Sequence, residues 1–470
     1  MKAEARTSLR RPISAEFEGA ELGDPRRTRR LQAVATRAAA APEAGFPQMV
    51  GDDSELEALY RFLSNERIGA DAILAPHIAA TTERAREAGT VLVVHDTTDF
   101  RFGGLEHREG LGPTHGNQEG FLGHFALAVK PGEARVPLGV IGLLRIARKE
   151  RKKTRKKSWY EMSKDPQRES LRWGELVEQV EKRRKSFDCI HLMDREGDVY
   201  DLLATMVKAG TRFVVRGAHD RALADDAGLL HGALETLQPM ARRTISLSVR
   251  PDSTRRDAKA KRKHPPRSGR SADIALSSTP VSLRRTQGAH VEDEQIDLNV
   301  VHVWEPSPPA GEPGVSWVLY TTEAVDTAED ILAVVDHYRA RWTIEEFFKA
   351  LKTGCNIERR QLETFHGLSN ALSVFIPIAW KMLLARSVAR AAPTASARTI
   401  LSSEQLKLLK ERLKLPVLPK TAEEALLAVA KLGGHLKRNG APGWQTIGRG
   451  FEALLWMQIG WRTALRTSDQ

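Results

Sequence analysis

Two short apolar runs in this chain each lead straight into an aspartate. Residues 91–94 read Val-Leu-Val-Val and run into His95-Asp96-Thr97-Thr98; residues 189–193 read Cys-Ile-His-Leu-Met and end at Asp194. Short runs without polar alternation fit strands covered on both faces, the pattern of a sheet flanked by helices. Such a sheet puts each acid at a strand end, and neighbouring strand ends can bring the two together. Two carboxylates forced close repel each other unless a cation lies between them. A divalent ion meets that need, and hard oxygen donors suit magnesium. Taken singly, either acid also reads as an ordinary turn or cap residue.

The surrounding segments extend this α/β pattern. Strands are expected at 121–130 and 136–147, joined near Pro131-Gly132, then a helix at 170–185, a helix at 199–208 and a strand at 212–216. Alternation of this kind predicts a mixed sheet with helices on its faces. Residues 217–315 break it. Short β-like pieces at 244–250, 273–277 and 297–304 flank a basic stretch at 250–270, expected as a loop, so the segment reads as a β-rich insertion. A strand at 317–320 and one long helix at 330–352 follow.

Both ends of the chain read as helical. Asp24 and Pro25 form a helix start, with Asp as N-cap and Pro where its missing N–H costs nothing. Leu31, Val34, Ala35 and Ala38 recur behind it at helical spacing, and Leu56, Leu59, Tyr60 and Leu63 form a second stripe after Asp53. Beyond residue 400, Leu406, Leu409 and Leu413, then Ala425, Val429 and Leu432, repeat the pattern, punctuated by Gly433-Gly434 and Pro442-Gly443. The expected domains are 1–70, 71–370 and 371–470.

Charge narrows the partner. The 470 residues hold 72 Lys and Arg against 60 Asp and Glu, a net charge of +12, which favours a polyanion. Arg26, Arg27, Arg29 and Arg30 crowd a helix start, where cations oppose the macrodipole and a partner anion would relieve the conflict. Residues 151–157 carry six positive charges in seven positions, suited to phosphate contact. Two cysteines, Cys189 and Cys355, make neither a disulfide framework nor a four-cysteine zinc site. With no run of eighteen uncharged apolar residues, the expectation is a cytoplasmic protein without a membrane partner.

The predicted 330–352 helix supplies a third acid. Its core stripe is Ile344, Phe347, Phe348 and Leu351. At about 100° per residue, Tyr338, Arg341, Glu345, Lys349 and Lys352 line one border of that stripe. Glu346 falls on the opposite, solvent side. The plain reading is a Glu345–Lys349 pair worth roughly 0.2–0.5 kcal/mol; the same band also carries phosphate-binding side chains beside a metal ligand.

These residues resemble the DDE transposases of bacterial insertion sequences, in the group typified by the transposon-five transposase. Leu22-Gly23-Asp24-Pro25-Arg26-Arg27-Thr28 and Tyr60-Arg61-Phe62 are similar to that group's N-terminal motifs. Asp96-Thr97-Thr98 resembles the first acidic motif, and Asp194-Arg195-Glu196 followed by Asp198 the second. Tyr338, Arg341, Glu345 and Lys352 resemble the YREK signature. The resemblance implies an α/β fold: an RNase H-like catalytic core with a β-rich insertion, flanked by an N-terminal helical DNA-binding domain and a C-terminal helical domain. It implies that Asp96, Asp194 and Glu345 hold two magnesium ions, with manganese able to substitute. Arg26, Arg27, Arg30, Arg216, Tyr338, Arg341, Lys349 and Lys352 would contact double-stranded DNA, and Trp317 would stack on a flipped base. The activity implied is cut-and-paste transposition through a hairpin, in a homodimer paired by the C-terminal helices, in the nucleoid of a bacterial cytoplasm. A structure-specific nuclease on the same core and an inactive end-binding inhibitor are the alternatives.

Overall fold

Strand pairing and one buried helix organise the computed structural model of the chain. It describes residues 9, 11–103, 107–114, 118–148, 168–184, 187–224, 228–247, 268–312, 314–436 and 441–468. In chain order the main elements are α1 (Pro25–Ala40), α2 (Asp53–Leu63), α3 (Ala70–Ala88), β1 (Thr90–Arg101), β2 (Glu119–Val129), β3 (Pro137–Ile146), α4 (Leu171–Arg183) and β4 (Asp188–Met193). Then come α5 (Tyr200–Lys208), β5 (Phe213–Arg216), α6 (Leu230–Glu235), β6 (Ala241–Leu247), β7 (Arg270–Arg284), β8 (Gln295–Trp304), β9 (Ser316–Thr321) and α7 (Ala328–Ala340). The last are α8 (Thr343–Lys349), α9 (Phe365–Ala391), α10 (Ser403–Leu413), α11 (Ala422–Leu432) and α12 (Trp444–Ser468). They form two compact units, one from Met1–Arg155, Glu175–Cys189 and Trp342–Gln470, the other from Lys156–Gly174 and Ile190–Arg341.

In the first unit β2 pairs antiparallel with both β1 and β3. Val91 to Val94 are buried on both faces, as their uninterrupted apolar character predicts. The inner face carries Val91, Val93, Ala126, Ala128 and Ile141, which pack against Leu176 and Val180 of α4. At Gly139 the backbone is left-handed (φ 143°), and a Cβ there would lie 2.1 Å from Thr81 Oγ1 of α3. Only glycine lets β3 approach α3 so closely.

The sequence places the end of β1 too early. The strand does not stop at Asp96 but runs to Arg101, because β2 continues opposite it as far as the Arg101↔Gly120 pair. Phe100, fully buried against Phe121 and Phe125, anchors the extension. Asp96 therefore sits mid-strand and half-buried.

The N-terminal helices pack onto the same unit. Asp24 caps α1 by accepting from the Arg26 N–H at 2.8 Å. The expected stripe Leu31, Val34, Ala35 and Ala38 is buried. A buried Leu contributes about 1.5–3 kcal/mol against ~1 kcal/mol for the cap, so packing outweighs capping in holding α1. In α2 the buried residues are Leu59, Phe62 and Leu63. Phe62 takes the inner position expected of Leu56, and Tyr60 meets Phe46 edge-on at 5.8 Å.

Helix α9 is the hub. It is long and apolar enough to cross a membrane, contrary to the sequence reading, yet 94% of its most apolar window is buried inside the protein. Asn370 Nδ2 donates to the carbonyls of Leu63 (2.8 Å) and Ile68 (3.0 Å). Trp380 Nε1 donates to the Pro137 carbonyl at 3.0 Å. Just before α9, Arg360 is buried at 2% exposure, and its guanidinium donates to the carbonyls of Ala44, Pro42 (2.7 Å) and Cys355 (2.6 Å). It lies 4.3 Å from the centre of the Phe375 ring. Burial pushes its pKa down to about 10, against the opposing pull of Cys355 and Glu452.

In the second unit the strand order is β4-β5-β9-β8-β7-β6. The β4–β5 pair is parallel, and every other pair is antiparallel. The β-rich insertion is thus a continuation of one sheet, with β7 and β8 longer than their apolar pieces suggested and β6 starting three residues earlier. Most of the basic stretch 250–270, and all of 151–157, lie outside the described residues. Arg270, expected in the loop, instead begins β7, where Glu305 and Glu312 pair with it.

The expected 330–352 helix is two helices. At the end of α7 the Arg341 N–H turns to the Tyr338 carbonyl (3.0 Å), a tightened bond that closes the helix. Trp342 follows, exposed, and α8 starts at Thr343. A π-helical turn, Ala350–Gly354, succeeds α8. Arg341 and Trp342 keep helical backbone angles (φ −51°, ψ −34° and φ −60°, ψ −16°), so the interruption is one of hydrogen bonding.

Two predictions come from these contacts. Arg360→Met leaves three buried carbonyls without a donor, at about 1–3 kcal/mol each. Urea unfolding followed by tryptophan fluorescence should show a loss of roughly 3 kcal/mol or more. The second concerns Glu16, which accepts from both terminal nitrogens of the Arg84 guanidinium (2.9 and 3.2 Å) and from His77 Nδ1–H (2.6 Å). His77 Nε2 accepts from the Val140 N–H at 3.2 Å, which fixes the neutral tautomer. Burial would raise the Glu16 pKa, but His77 and Arg84 outweigh it and hold the carboxyl well below its usual 4.5. Burial likewise pushes His77 below its usual 6.5. Both groups bind protons more readily unfolded than folded, so their stabilisation is complete above about pH 6.5; the His77 part is lost as pH falls below that value, and the Glu16 part as it falls from about 4.5 to about 2. Melting temperature against pH should drop in both ranges, and Glu16→Gln should flatten the lower one.

Candidate active site and nucleic-acid contacts

The second unit gathers side chains around Asp194. Strand β4 delivers Asp194 to a single 3-10 turn, Arg195–Gly197, which it caps by accepting from the Glu196 N–H at 2.8 Å. The Asp194 side chain is half-buried. The next residue, Arg195, has its pKa lowered by burial and then by the neighbouring charge of Arg216, with Tyr338 and Asp194 acting in the opposite direction. Arg216, the last residue of β5, holds its guanidinium 6.0 Å from the Trp317 ring centre, with one nitrogen donating to the Ser316 carbonyl. Among the described residues, the buried Arg216 Nε finds no acceptor. Trp317, half-buried on β9, meets Tyr338 of α7 edge-on at 5.7 Å.

Arg216, Trp317 and Tyr338 thus form a chain of ring and guanidinium contacts, and Arg195, next to Asp194, feels the charge of Arg216. Arg195 is exposed and Arg216 half-buried; two neighbouring like charges gain from an anion between them, and a phosphate matches the guanidinium fork. Three of the residues expected at DNA, Arg216, Trp317 and Tyr338, are brought together. Arg195 was passed over as a contact, although it stands next to Asp194 in the second acidic motif. Arg341 caps the end of α7.

The first unit holds the other two acids. Asp96 on β1 takes the Thr97 N–H on Oδ1 at 2.8 Å, and Thr97 Oγ1 in turn contacts His124 Nδ1 at 2.9 Å. Glu345 is half-buried on α8, which packs onto β1. The expected core stripe Ile344, Phe347, Phe348 and Leu351 is buried. Glu346 does not face solvent as expected, because α9 lies on that side: Arg386 reaches it at 2.9 Å and Lys349 at 3.3 Å. The Glu345–Lys349 pairing is thus replaced by Glu346–Lys349. Lys352 lies against β1, donating to the Asp99 carbonyl, pairing with Glu358 at 3.3 Å and resting 5.4 Å from the Phe100 ring centre. All three acids offer hard oxygen donors with no thiolate among them, a donor chemistry that fits magnesium or manganese.

On α1, Arg26 pairs with Asp24 at 3.0 Å and Arg27 donates to the Leu22 carbonyl at 2.9 Å. The crowding of cations at this helix start is thus relieved within the chain for two of the four. Arg29 and Arg30 are exposed.

Comparison with known proteins bears on these groups. Residues 168–376 match the family model described as the transposase DDE domain, a stretch that contains Asp194 and Glu345 but not Asp96. Residues 12–68 match the model described as transposase DNA-binding, which contains Arg26, Arg27 and Arg30. Two separate segments of the chain thus resemble transposase domains, one DNA-binding and one of the DDE type. Among solved structures it is similar to a piggyBac transposase synaptic complex with hairpin DNA, at 10% identity and a TM-score of 0.31. The match covers 78% of this chain and 62% of that one, so the chain spans under two thirds of that transposase's length.

The cluster around Trp317 generates a prediction. Stacking of an exposed base on an aromatic face is worth about 1–3 kcal/mol. Trp317→Ala should therefore weaken binding to DNA with an unpaired, displaced base by roughly 5- to 150-fold and leave duplex affinity unchanged. Equal losses for both DNAs, with a lowered melting temperature, would make Trp317 a packing partner of Tyr338 and nothing more.

Proposed function

We propose that the protein is a cut-and-paste DNA transposase. The observation that carries this reading is the Arg216–Trp317–Tyr338 contact chain, in the same stretch as the Asp194 turn, which matches a transposase DDE domain. In this reading α1, through Arg26, Arg27 and Arg30, contacts the transposon ends. The central segment nicks each end; the freed 3′-hydroxyl then attacks the opposite strand to give a hairpin, which is reopened before joining to target DNA. The division into 1–70, 71–370 and 371–470, the RNase H-like core and a homodimer paired through the last segment belong to the same proposal, as does a place in the bacterial nucleoid. The β1–β2–β3 antiparallel strands and the parallel β4–β5 pair support the core assignment.

Asp96, Asp194 and Glu345 are the residues that would hold two magnesium ions, or manganese in their place. Such ions, when bound, activate the attacking oxygen and stabilise the leaving one. The chain's own part is positioning. Arg195 and Arg216 neutralise phosphate, and Trp317 receives a base that must leave the stack for the hairpin to form, recovering part of an unstacking cost of a few kcal/mol. Tyr338, Arg341, Lys349 and Lys352 hold the backbone.

Asp194→Asn tests the reading, since it removes ligand charge and keeps shape. On a terminal-repeat duplex, nicking should vanish while gel retardation stays unchanged. Magnesium-dependent nicking that survives the substitution would take Asp194 out of the metal set.

A further inference from the structure

The turn that carries Asp194 contains a second aspartate whose carboxylate faces inward. The Asp198 side chain is completely buried. It accepts from the backbone N–H groups of Ala218 at 2.6 Å and His219 at 3.1 Å, and from Arg221 Nε at 2.9 Å, with a further bond from an Arg221 terminal nitrogen. Arg221 also donates to the Asp198 carbonyl (3.0 Å) and to Thr286 Oγ1 (2.8 Å), and is itself buried. Tyr320 closes the same loop by donating its hydroxyl to the His219 carbonyl at 3.3 Å.

Both ends of this clamp lead to the site. On one side the Asp198 N–H returns to the Arg195 carbonyl (3.3 Å) and the Gly197 N–H to the Asp194 carbonyl (3.1 Å), so Asp194 and Asp198 share one turn. Gly197 leaves that turn no slack, since a Cβ there would lie 2.7 Å from Met193 Cβ. On the other side, Ala218 is two residues beyond Arg216, whose guanidinium faces Trp317. A single buried carboxylate thus joins the turn of the acid to the loop of the cation.

We propose that Asp198 is a positioning residue that fixes Asp194 and Arg216 in one frame. It touches neither DNA nor metal; it acts through the amides of Ala218 and His219. Arg221 serves as its counter-ion, and the two amides set the geometry. The proposal rests on the transposase reading.

The test separates those two parts. Arg221→Met removes the counter-ion and leaves the amide clamp. Asp198→Ala with Arg221→Met removes both and leaves no unpaired buried charge, although the Ala218 and His219 amides lose their acceptor, so melting temperature is read beside Mn2+ binding. Binding of Mn2+ to the full chain is followed by electron paramagnetic resonance of free Mn2+, beside nicking of a terminal-repeat duplex and melting temperature. The single variant should melt lower yet hold Mn2+ within about threefold of the unaltered chain. The double variant should lose about tenfold or more in Mn2+ affinity, the scale of lost outer-sphere support, and nick correspondingly more slowly. Asp198→Asn in the Arg221→Met background restores an amide acceptor and should recover Mn2+ binding. Equal Mn2+ affinity in the single and double variants, no recovery with Asn, or losses that merely follow melting temperature would overturn the proposal. If the unaltered chain neither binds Mn2+ nor nicks, the transposase reading falls with it; if it does both, only the role of Asp198 is at stake.

Discussion

A buried guanidinium with carbonyl oxygens for partners holds the first unit together. A cation loses several kcal/mol of hydration on burial, and Arg360 recovers it from the Ala44, Pro42 and Cys355 carbonyls and from the face of Phe375. Those carbonyls belong to the loop between α1 and α2 and to the turn that follows α8. One side chain therefore fixes the N-terminal helices against the segment that presents Glu345 and Lys352. The Asn370 bonds to Leu63 and Ile68 repeat the arrangement one helix further on. Because the joined groups are backbone atoms, almost any side-chain change in the N-terminal loop leaves the joint intact, whereas a change at Arg360 removes all of it.

Much of this was legible in the sequence, and the misses have physical causes. Asp24-Pro25 gave the start of α1 because capping is local. Residues 189–193 gave β4 and its terminal Asp194 because an unbroken apolar run needs no knowledge of its neighbours. The end of β1 could not be read in the same way. The stretch from His95 to Asp99 is polar, and it is held in the strand by β2 opposite and by Phe100 at its far end. The break at Arg341 is hidden for a similar reason: every residue from 338 to 345 tolerates helix, and only a hydrogen bond shortened by one residue ends α7. Glu346 was assigned to solvent because a helical wheel cannot know that α9 covers that side.

The candidate site was legible residue by residue but not as an arrangement. Arg216 sits at the end of an apolar strand and Trp317 near the start of another, and their contact depends on β5 and β9 pairing antiparallel, with Arg216 opposite Leu319. Arg195 and Asp198 were visible as letters of a motif, with nothing to tell which would face the site and which the interior. Burial decides this: one keeps its charge beside Arg216, while the other is wholly enclosed.

The first unit is assembled from three separate pieces of chain, and this sets an order of events during synthesis. Asn370 and Leu63 are 307 residues apart, and the second unit is made in between. At about 5–20 residues per second, some 15–60 s pass between the emergence of α2 and that of the helix that buries it. The second unit has all its strands in hand during that interval and is free to close first. The N-terminal helices meanwhile have only each other to cover their apolar stripes. A nascent chain in this interval exposes the apolar stripes that α9 later covers, and such surface invites aggregation and proteolysis until α9 arrives.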